Sequence, residues 1–128
     1  MGKYLVDTTV VVEMLRGNIK ARDFLQKERP EVSAVTAAEL IQGSHNREDL
    51  VVVKKTLKLI SQIQLNVAIS ELAIELLEKY RLSHGLMFLD ALIAAMAIVK
   101  KKVLVTGNVK DFKFISGLKV VGHEVFEK

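Results

Sequence analysis

The chain of 128 residues contains no cysteine, no tryptophan and a single proline, Pro30. The lack of cysteine excludes disulfides, thiolate metal ligands and cysteine nucleophiles, so oxygen or imidazole groups must hold any metal ion. It also fits a reducing compartment, and we expect a cytoplasmic protein. Only five Phe and two Tyr are present, whereas half of the residues are hydrophobic. The sequence therefore predicts an aliphatic core.

Neither a secretion signal nor a membrane span is expected from the sequence. The apolar segment near the N-terminus is short and is interrupted by Asp7. The longest apolar stretch, residues 86–99, has 14 residues and contains Asp90, whereas a membrane-spanning helix needs about 18 or more. We interpret this stretch as a buried helix and expect no association with membranes.

Short strand-like runs alternate with helical ones along the chain. Strands are predicted at residues 3–6, 32–35, 64–67, 103–105 and 119–121, and helices at residues 9–15, 19–27, 36–42, 47–63, 70–84 and 90–102. Ser70 is predicted to be the N-cap of its helix. Thr36 and Glu39 have the spacing of a capping box at the start of another helix. Repeated strand–helix units predict parallel pairing with right-handed crossovers. We thus predict one α/β domain over residues 1–128, a three-layer sandwich with a four- to five-stranded parallel sheet flanked by helices.

Four acidic residues lie shortly after predicted strands or at the start of a predicted helix. Asp7 directly follows the first strand, Glu39 lies shortly after the second, Asp90 opens the apolar helix, and Asp111 lies in the loop after residues 103–105. In an open α/β sheet, residues just past the carboxyl ends of parallel strands gather along one edge. We expect these four carboxylates to meet in one cleft.

Each acid also has a purely structural explanation. Asp7, Asp90 and Asp111 could each cap a helix, and Glu39 could complete a capping box with Thr36. A cap worth about 1 kcal/mol is supplied equally well by Ser, Thr or Asn. Capping alone therefore explains any one of these acids but does not require carboxylates at all four places.

The sequence after Asp90 indicates that the cleft holds a cation. Residues 91–99 carry no charge, so this helix should be enclosed, and an isolated carboxylate at its start would be costly to ionise. Several carboxylates in one cleft add mutual repulsion, which a divalent cation offsets. Oxygen-only ligation favours Mg²⁺ or Mn²⁺ over zinc.

Four segments of the chain carry a recognisable pattern. They are, in chain order, residues 3–9 (KYLVDTT), 32–40 (VSAVTAAEL), 90–95 (DALIAA) and 104–112 (LVTGNVKDF). In order and spacing they resemble the PIN-domain family, and more closely its VapC-type members, the toxin ribonucleases of type II toxin–antitoxin pairs. The resemblance extends from residue 3 to about residue 121, which is nearly the whole chain.

The resemblance implies a three-layer parallel α/β fold and a Mg²⁺-dependent endoribonuclease. By position, Asp7, Glu39 and Asp90 match the first three acids of the family. The family often places a fourth acid two residues after the Thr of the last motif, where this chain has Asn108. Asp111, three residues further on, could take that place, which leaves open whether one metal ion acts or two. The resemblance also implies an RNA substrate, a small antitoxin protein that covers the cleft, and a homodimer.

Several other residues are candidates for supporting roles. We expect Thr8 and Thr106 to hydrogen-bond the carboxylates or the phosphate, although both could equally be ordinary caps and turn formers. Arg16, Lys110 and Lys113 are candidate contacts to RNA phosphates. Setting the four site acids aside leaves 19 basic residues against 11 acidic ones, a balance suited to a polyanion.

Histidine has no predicted part in the chemistry. His45, His84 and His123 lie in loops or polar surroundings, and each is predicted to be a surface residue. The lysine run at residues 100–102 ends the apolar helix, where the helix dipole favours cations. We interpret it as C-terminal capping on the side away from the acids.

Two other functions are compatible with parts of this pattern. A PIN-like module that has lost catalysis could serve in RNA binding or processing, and Asn108 keeps that alternative open. A receiver-type signalling domain is similar in size, but it needs a pair of acids after its first strand. Here Asp7 is followed by Thr8 and Thr9, which argues against a receiver domain.

Overall fold

A computed structural model describes residues 2–127, and their five strands form one parallel sheet. The strands are β1 (Tyr4–Val6), β2 (Glu31–Ser33), β3 (Ser61–Ile63), β4 (Val103–Val105) and β5 (Val120–Val121). They lie in the order β3-β2-β1-β4-β5, and every neighbouring pair is parallel. The predicted parallel α/β fold is confirmed, with five strands.

Helices cover both faces of this sheet and complete the predicted three layers. They are α1 (Thr8–Leu15), α2 (Ile19–Glu28), α3 (Ala34–Gln42), α4 (Arg47–Lys58), α5 (Val67–His84), α6 (Phe88–Val99) and α7 (Glu124–Glu127), with a 3-10 turn at Val109–Asp111. The most apolar helix, α6, is largely buried, as its sequence predicts. Across residues 2–127, the model contains no helix with both the length and the apolar character needed to cross a membrane.

Successive side chains of each strand point to opposite faces of the sheet, and they divide the core between the two faces. Leu5 and Leu104 are register partners and pack with α5 and α6 on one face. Val6 and Val105, the next partners, pack on the other face with the apolar residues of α1 and α2. Because both faces are covered, the central strands β1 and β4 are made of apolar residues, as is usual for buried parallel sheets.

The strand order reverses direction at β1. The chain runs outward from β1 through β2 to β3, then returns to the other side of β1 to form β4 and β5. In open α/β sheets, such a reversal leaves a crevice outside the carboxyl ends of the two strands that flank it. Here those strands are β1 and β4, and Asp7 directly follows β1.

The third strand lies earlier in the chain than predicted. The predicted helix at residues 47–63 ends at Lys58, and β3 comprises Ser61–Ile63 instead of residues 64–67. Ile60 and Ile63 are both buried, but on different faces of the sheet. Ile60 fits the helical spacing of apolar residues although it lies outside the helix, because the core also buries this residue just before β3.

Two predicted helix caps are wrong. The N-cap of α5 is Asn66, whose side chain accepts a hydrogen bond from the Ile69 amide at 2.9 Å, and Ser70 lies inside the helix. The N-cap of α3 is Ser33, and Thr36 lies inside that helix, fully buried. In both places two residues that can cap a helix lie within a few positions of each other. The helix begins after the first of them, because the preceding strand or loop ends there.

The lysine run lies at the amino end of the sheet, away from the four acids, as expected. Lys102 does more than cap α6, because its Nζ lies 2.5 Å from Glu31 Oε1 and donates to the Gly2 carbonyl at 2.6 Å. The two charged side chains are only 15% and 10% exposed. This nearly buried ion pair joins the start of β2 to the segment that enters β4.

We predict that Lys102→Met destabilises the protein by about 3 kcal/mol, because it leaves the Glu31 carboxylate buried without a partner. Urea denaturation at neutral pH measures the loss. Lys100→Met, at an exposed position of the same run, should change the free energy of unfolding by less than about 0.5 kcal/mol. The double variant Lys102→Met with Glu31→Gln should recover part of the loss. Equal effects of the two single lysine variants would contradict this prediction.

Candidate metal centre at the carboxyl edge of the sheet

Asp7 is a nearly buried carboxylate whose two oxygens are both hydrogen-bonded. It is 5% exposed and is the N-cap of α1. Its Oδ1 accepts from the Thr9 amide at 3.0 Å and from the Thr9 hydroxyl at 2.5 Å, and its Oδ2 accepts from the Thr106 hydroxyl at 2.5 Å. Since Thr106 directly follows β4, Asp7 connects the two strands that flank the crevice.

The two threonine hydroxyls also organise the loop after β4. The Asn108 amide donates to Thr106 Oγ1 at 3.0 Å, and the Gly107 amide donates to Thr9 Oγ1 at 2.8 Å. Each hydroxyl therefore gives its one proton to Asp7 and accepts from a backbone amide of this loop. The predicted contact of Thr106 with a carboxylate is present, whereas Thr9 was not predicted to have a role.

Glu39 is held by the residue that follows Asp7. It lies on α3, just past the carboxyl end of β2, and its Oε1 accepts a hydrogen bond from the Thr8 hydroxyl at 3.1 Å. Thr8 opens α1, so this bond joins the start of α1 to the second turn of α3. Thr8 thus makes the kind of contact predicted for it.

Asp90 is the acid with the strongest electrostatic strain. It lies in the first turn of α6, whose N-cap Met87 makes no side-chain cap, so Asp90 is not there as the cap. Burial, together with repulsion from Asp111, Glu39 and Asp7, raises the pKa of its carboxyl from 3.8 to about 6. The carboxylates of Asp111, Glu39 and Asp7 all contribute to this shift, so the four acids share one electrostatic environment.

The two candidates for the fourth acidic position differ in their surroundings. Asp111 ends the 3-10 turn and is exposed, yet among the carboxylates it has the largest effect on Asp90. Asn108 precedes the turn, is also exposed, and uses its backbone amide to bind Thr106. The structure thus brings Asp111 into the electrostatic cluster with the other three acids.

The oxygen donors of these four residues suit a hard divalent cation, although they do not form a preassembled set of ligands. Within residues 2–127, no three acidic or histidine side chains converge in metal-ligating geometry. Mg²⁺ usually keeps several waters and takes only one or two carboxylates directly, so it does not require such a group. The four carboxylates can supply those one or two ligands, and a cation would offset the repulsion that raises the pKa of Asp90.

The predicted phosphate-binding cations lie at different distances from the acids. Lys110 and Lys113 are exposed and flank Asp111 in the chain. Arg16 is the C-cap of α1 and pairs with Glu13 at 3.4 Å. Because Asp7 caps the opposite end of that helix, Arg16 lies about 12 Å along the axis from the acids.

The prediction that all three histidines are surface residues is wrong for His123. His45 and His84 are exposed, but His123 is partly buried, with its Nε2 3.2 Å from Thr9 Oγ1. The two residues are 114 positions apart in sequence, so no local pattern connects them. The only available signal was that His123 comes just after β5, as the acids follow other strands.

Comparison with known proteins agrees with this fold. A model of the PIN domain family matches residues 4–116. Ribonuclease VapC10 of Mycobacterium tuberculosis is 35% identical over 131 residues, covering 93% of this chain and 96% of that protein. Ribonuclease VapC1 of Rickettsia felis is 30% identical over 129 residues, covering 91% of this chain and 93% of that protein.

Solved structures give the same result for the fold. A toxin–antitoxin complex from Klebsiella pneumoniae contains a chain with 27% identity and a TM-score of 0.74, covering 92% of this chain and 95% of that one. DNA-bound VapBC from Salmonella typhimurium has 21% identity and a TM-score of 0.84, covering 95% of this chain and 98% of that one. The chain therefore belongs to the PIN domain family, together with the VapC-type proteins.

Proposed function

We propose that this protein is a metal-dependent endoribonuclease and the toxin of a toxin–antitoxin pair. The observation that carries the proposal is the cluster of four carboxylates, Asp7, Glu39, Asp90 and Asp111, outside the carboxyl ends of β1 and β4 in a PIN-domain chain. Two relatives that match nearly the full chain are named ribonucleases. The substrate class is RNA, and the bond cleaved is a phosphodiester.

Asp7 and Asp90 are the proposed metal ligands, with Glu39 and Asp111 binding directly or through water. Mg²⁺, or Mn²⁺ in its place, would lower the pKa of a bound water and neutralise charge on the scissile phosphate. Thr9 and Thr106 keep Asp7 in one orientation, and Thr8 does the same for Glu39. Such supporting bonds typically matter almost as much as the ligands themselves.

The remaining partners follow from charge and from the related structures. Lys110 and Lys113 are positioned near Asp111 for contacts to RNA phosphates. An antitoxin is proposed because similar solved chains come from toxin–antitoxin complexes. We also propose a homodimer in the cytoplasm, in keeping with the resemblance to VapC-type proteins.

A second candidate function is a PIN-like RNA-binding module with weak catalysis or none. The observation that favours it is Asn108, which stands where the family often has an acid. Metal-dependent cleavage separates the two functions, because only the enzyme requires the carboxylates.

We predict that Asp7→Asn and Asp90→Asn each lower Mg²⁺-dependent RNA cleavage by more than about 100-fold, since loss of a ligand should exceed the effect of losing a supporting residue. Cleavage of a labelled RNA pool, with and without EDTA, measures the loss, and circular dichroism checks the fold. Asp23→Asn, at an exposed position paired with Lys27 on α2, is the matched control and should cleave normally. Wild-type rates in both site variants would exclude the proposed mechanism.

We predict that Asp90→Asn stabilises the metal-free protein near pH 8 but not near pH 4. The folded-state pKa of Asp90 is raised to about 6. The folded state therefore favours the protonated carboxyl, and the stability that this preference contributes is complete only while Asp90 is protonated. That contribution is lost as the pH rises through about 6. The gain for Asn near pH 8 should be roughly 1–2 kcal/mol, because Asp90 is only partly buried.

Urea denaturation in EDTA at the two pH values measures this difference between variant and wild type. Saturating Mg²⁺ near pH 8 should then stabilise the wild type more than Asp90→Asn, because the cation removes the repulsion. A stability difference independent of pH would show that the Asp90 charge is not under strain.

We predict that Asp111→Asn weakens Mn²⁺ binding roughly tenfold, whereas Asn108→Asp strengthens it by a similar factor. The reason is that the first change removes a charge from the cluster and the second adds one where the family often has it. Isothermal titration calorimetry compares the two variants with the wild type. Unchanged affinity on Asp111→Asn, with weaker binding on Asn108→Ala, would assign the fourth position to Asn108 instead.

A further inference from the structure

We propose that His123 is a positioning residue for Asp7, acting through the hydroxyl of Thr9. The geometry consists of three linked contacts: His123 Nε2 lies 3.2 Å from Thr9 Oγ1, and Thr9 Oγ1 lies 2.5 Å from Asp7 Oδ1 and 2.8 Å from the Gly107 amide. The proposal rests on the metal site suggested above, and it adds a residue from the C-terminal end of the fold.

Counting protons gives the direction of each bond. A hydroxyl has one proton to donate and can accept two hydrogen bonds. Asp7 is ionised in its proposed role and can only accept, so it takes the Thr9 proton. The Gly107 amide can only donate. His123 must therefore donate its Nε2 proton to Thr9, which completes the capacity of that hydroxyl and requires the imidazole to carry a proton on Nε2.

The surroundings of the imidazole hold it in this orientation. A side-chain carbon at Gly107 would lie 3.2 Å from both Cε1 and Nε2 of His123, so the ring packs directly against the glycine backbone. The ring also packs against Phe126 of α7, with centroids 5.1 Å apart, whereas Glu127 Oε1 lies 3.8 Å from Nδ1, beyond hydrogen-bond distance. Packing against Gly107 and Phe126 thus holds the ring in place.

The hydrogen bonds that Thr9 accepts strengthen the one that it donates to Asp7. A hydroxyl that accepts two hydrogen bonds becomes a stronger donor, because successive bonds polarise one another. Thr9 is such a donor, and it holds one oxygen of Asp7 while Thr106 holds the other. His123 faces Thr9 instead of contacting the acids, so we assign it a positioning role instead of that of a general base.

The test compares His123→Leu with His123→Gln. Leu removes the donor, and Mn²⁺ affinity should fall by about 10–100-fold, the usual effect of losing an outer hydrogen bond at a metal site. Gln carries an amide that can donate from a similar position, so it should restore most of the affinity. His45→Leu, the same substitution at an exposed histidine, should bind as the wild type does.

A double-mutant cycle identifies the route of the effect. If His123 acts through the hydroxyl, His123→Leu should cost little further affinity in a Thr9→Val background. Full additivity, or wild-type Mn²⁺ binding by His123→Leu, would overturn the inference. If Asp7→Asn and the wild type both fail to bind Mn²⁺, the proposed metal site itself is wrong.

A measurement on the metal-free protein decides the inference independently. The ¹⁵N spectrum of the histidine rings near pH 8 should show His123 protonated at Nε2. The ¹³C resonance of the Asp7 carboxylate should move on His123→Leu and stay in place on His45→Leu. Protonation at Nδ1 alone, or an unmoved Asp7 resonance, would contradict the proposed chain of hydrogen bonds even if no metal binds.

Discussion

The burial of the Asp7 carboxylate at the point where the sheet reverses direction is the constraint on which the arrangement around it depends. Asp7 is almost inaccessible to water, and a charge in that position needs hydrogen bonds to replace its lost hydration. Thr9 and Thr106 provide them from α1 and from the end of β4. Those hydroxyls in turn fix the amides of Gly107 and Asn108, so the loop that carries Asp111 is arranged around Asp7.

Three buried or half-buried acids in this chain illustrate three ways of placing a carboxylate in a protein interior. Glu31, at the amino end of the sheet, is neutralised by Lys102. Asp7 is stabilised by neutral donors. Asp90 has neither solution, since its electrostatic neighbours are other carboxylates, and its pKa rises accordingly. Of the three acids, Asp90 is therefore the one whose charge a cation at the crevice would stabilise most.

Much of this architecture was predictable because it depends on short-range patterns. Short apolar runs marked β1 and β4, and the charge-free residues after Asp90 marked a buried helix. The position of acids just past strands also follows from the sequence, since the parallel α/β topology then gathers them at one edge. Competing signals caused the errors: Ser33 and Thr36, or Asn66 and Ser70, are all capable caps, and Ile60 is buried like a helical residue although it leads into β3.

The sequence by itself determined the fold class and the places of the four acids along the chain, because residue type, strand order and periodicity encode these directly. Tertiary structure alone decided which hydroxyl binds which carboxylate, which acid bears the repulsion, and that His123 lies beside Thr9. The physical reason is distance along the chain. Contacts between residues 99 and 114 positions apart arise only when the strand ends converge, and no local property of either partner specifies them.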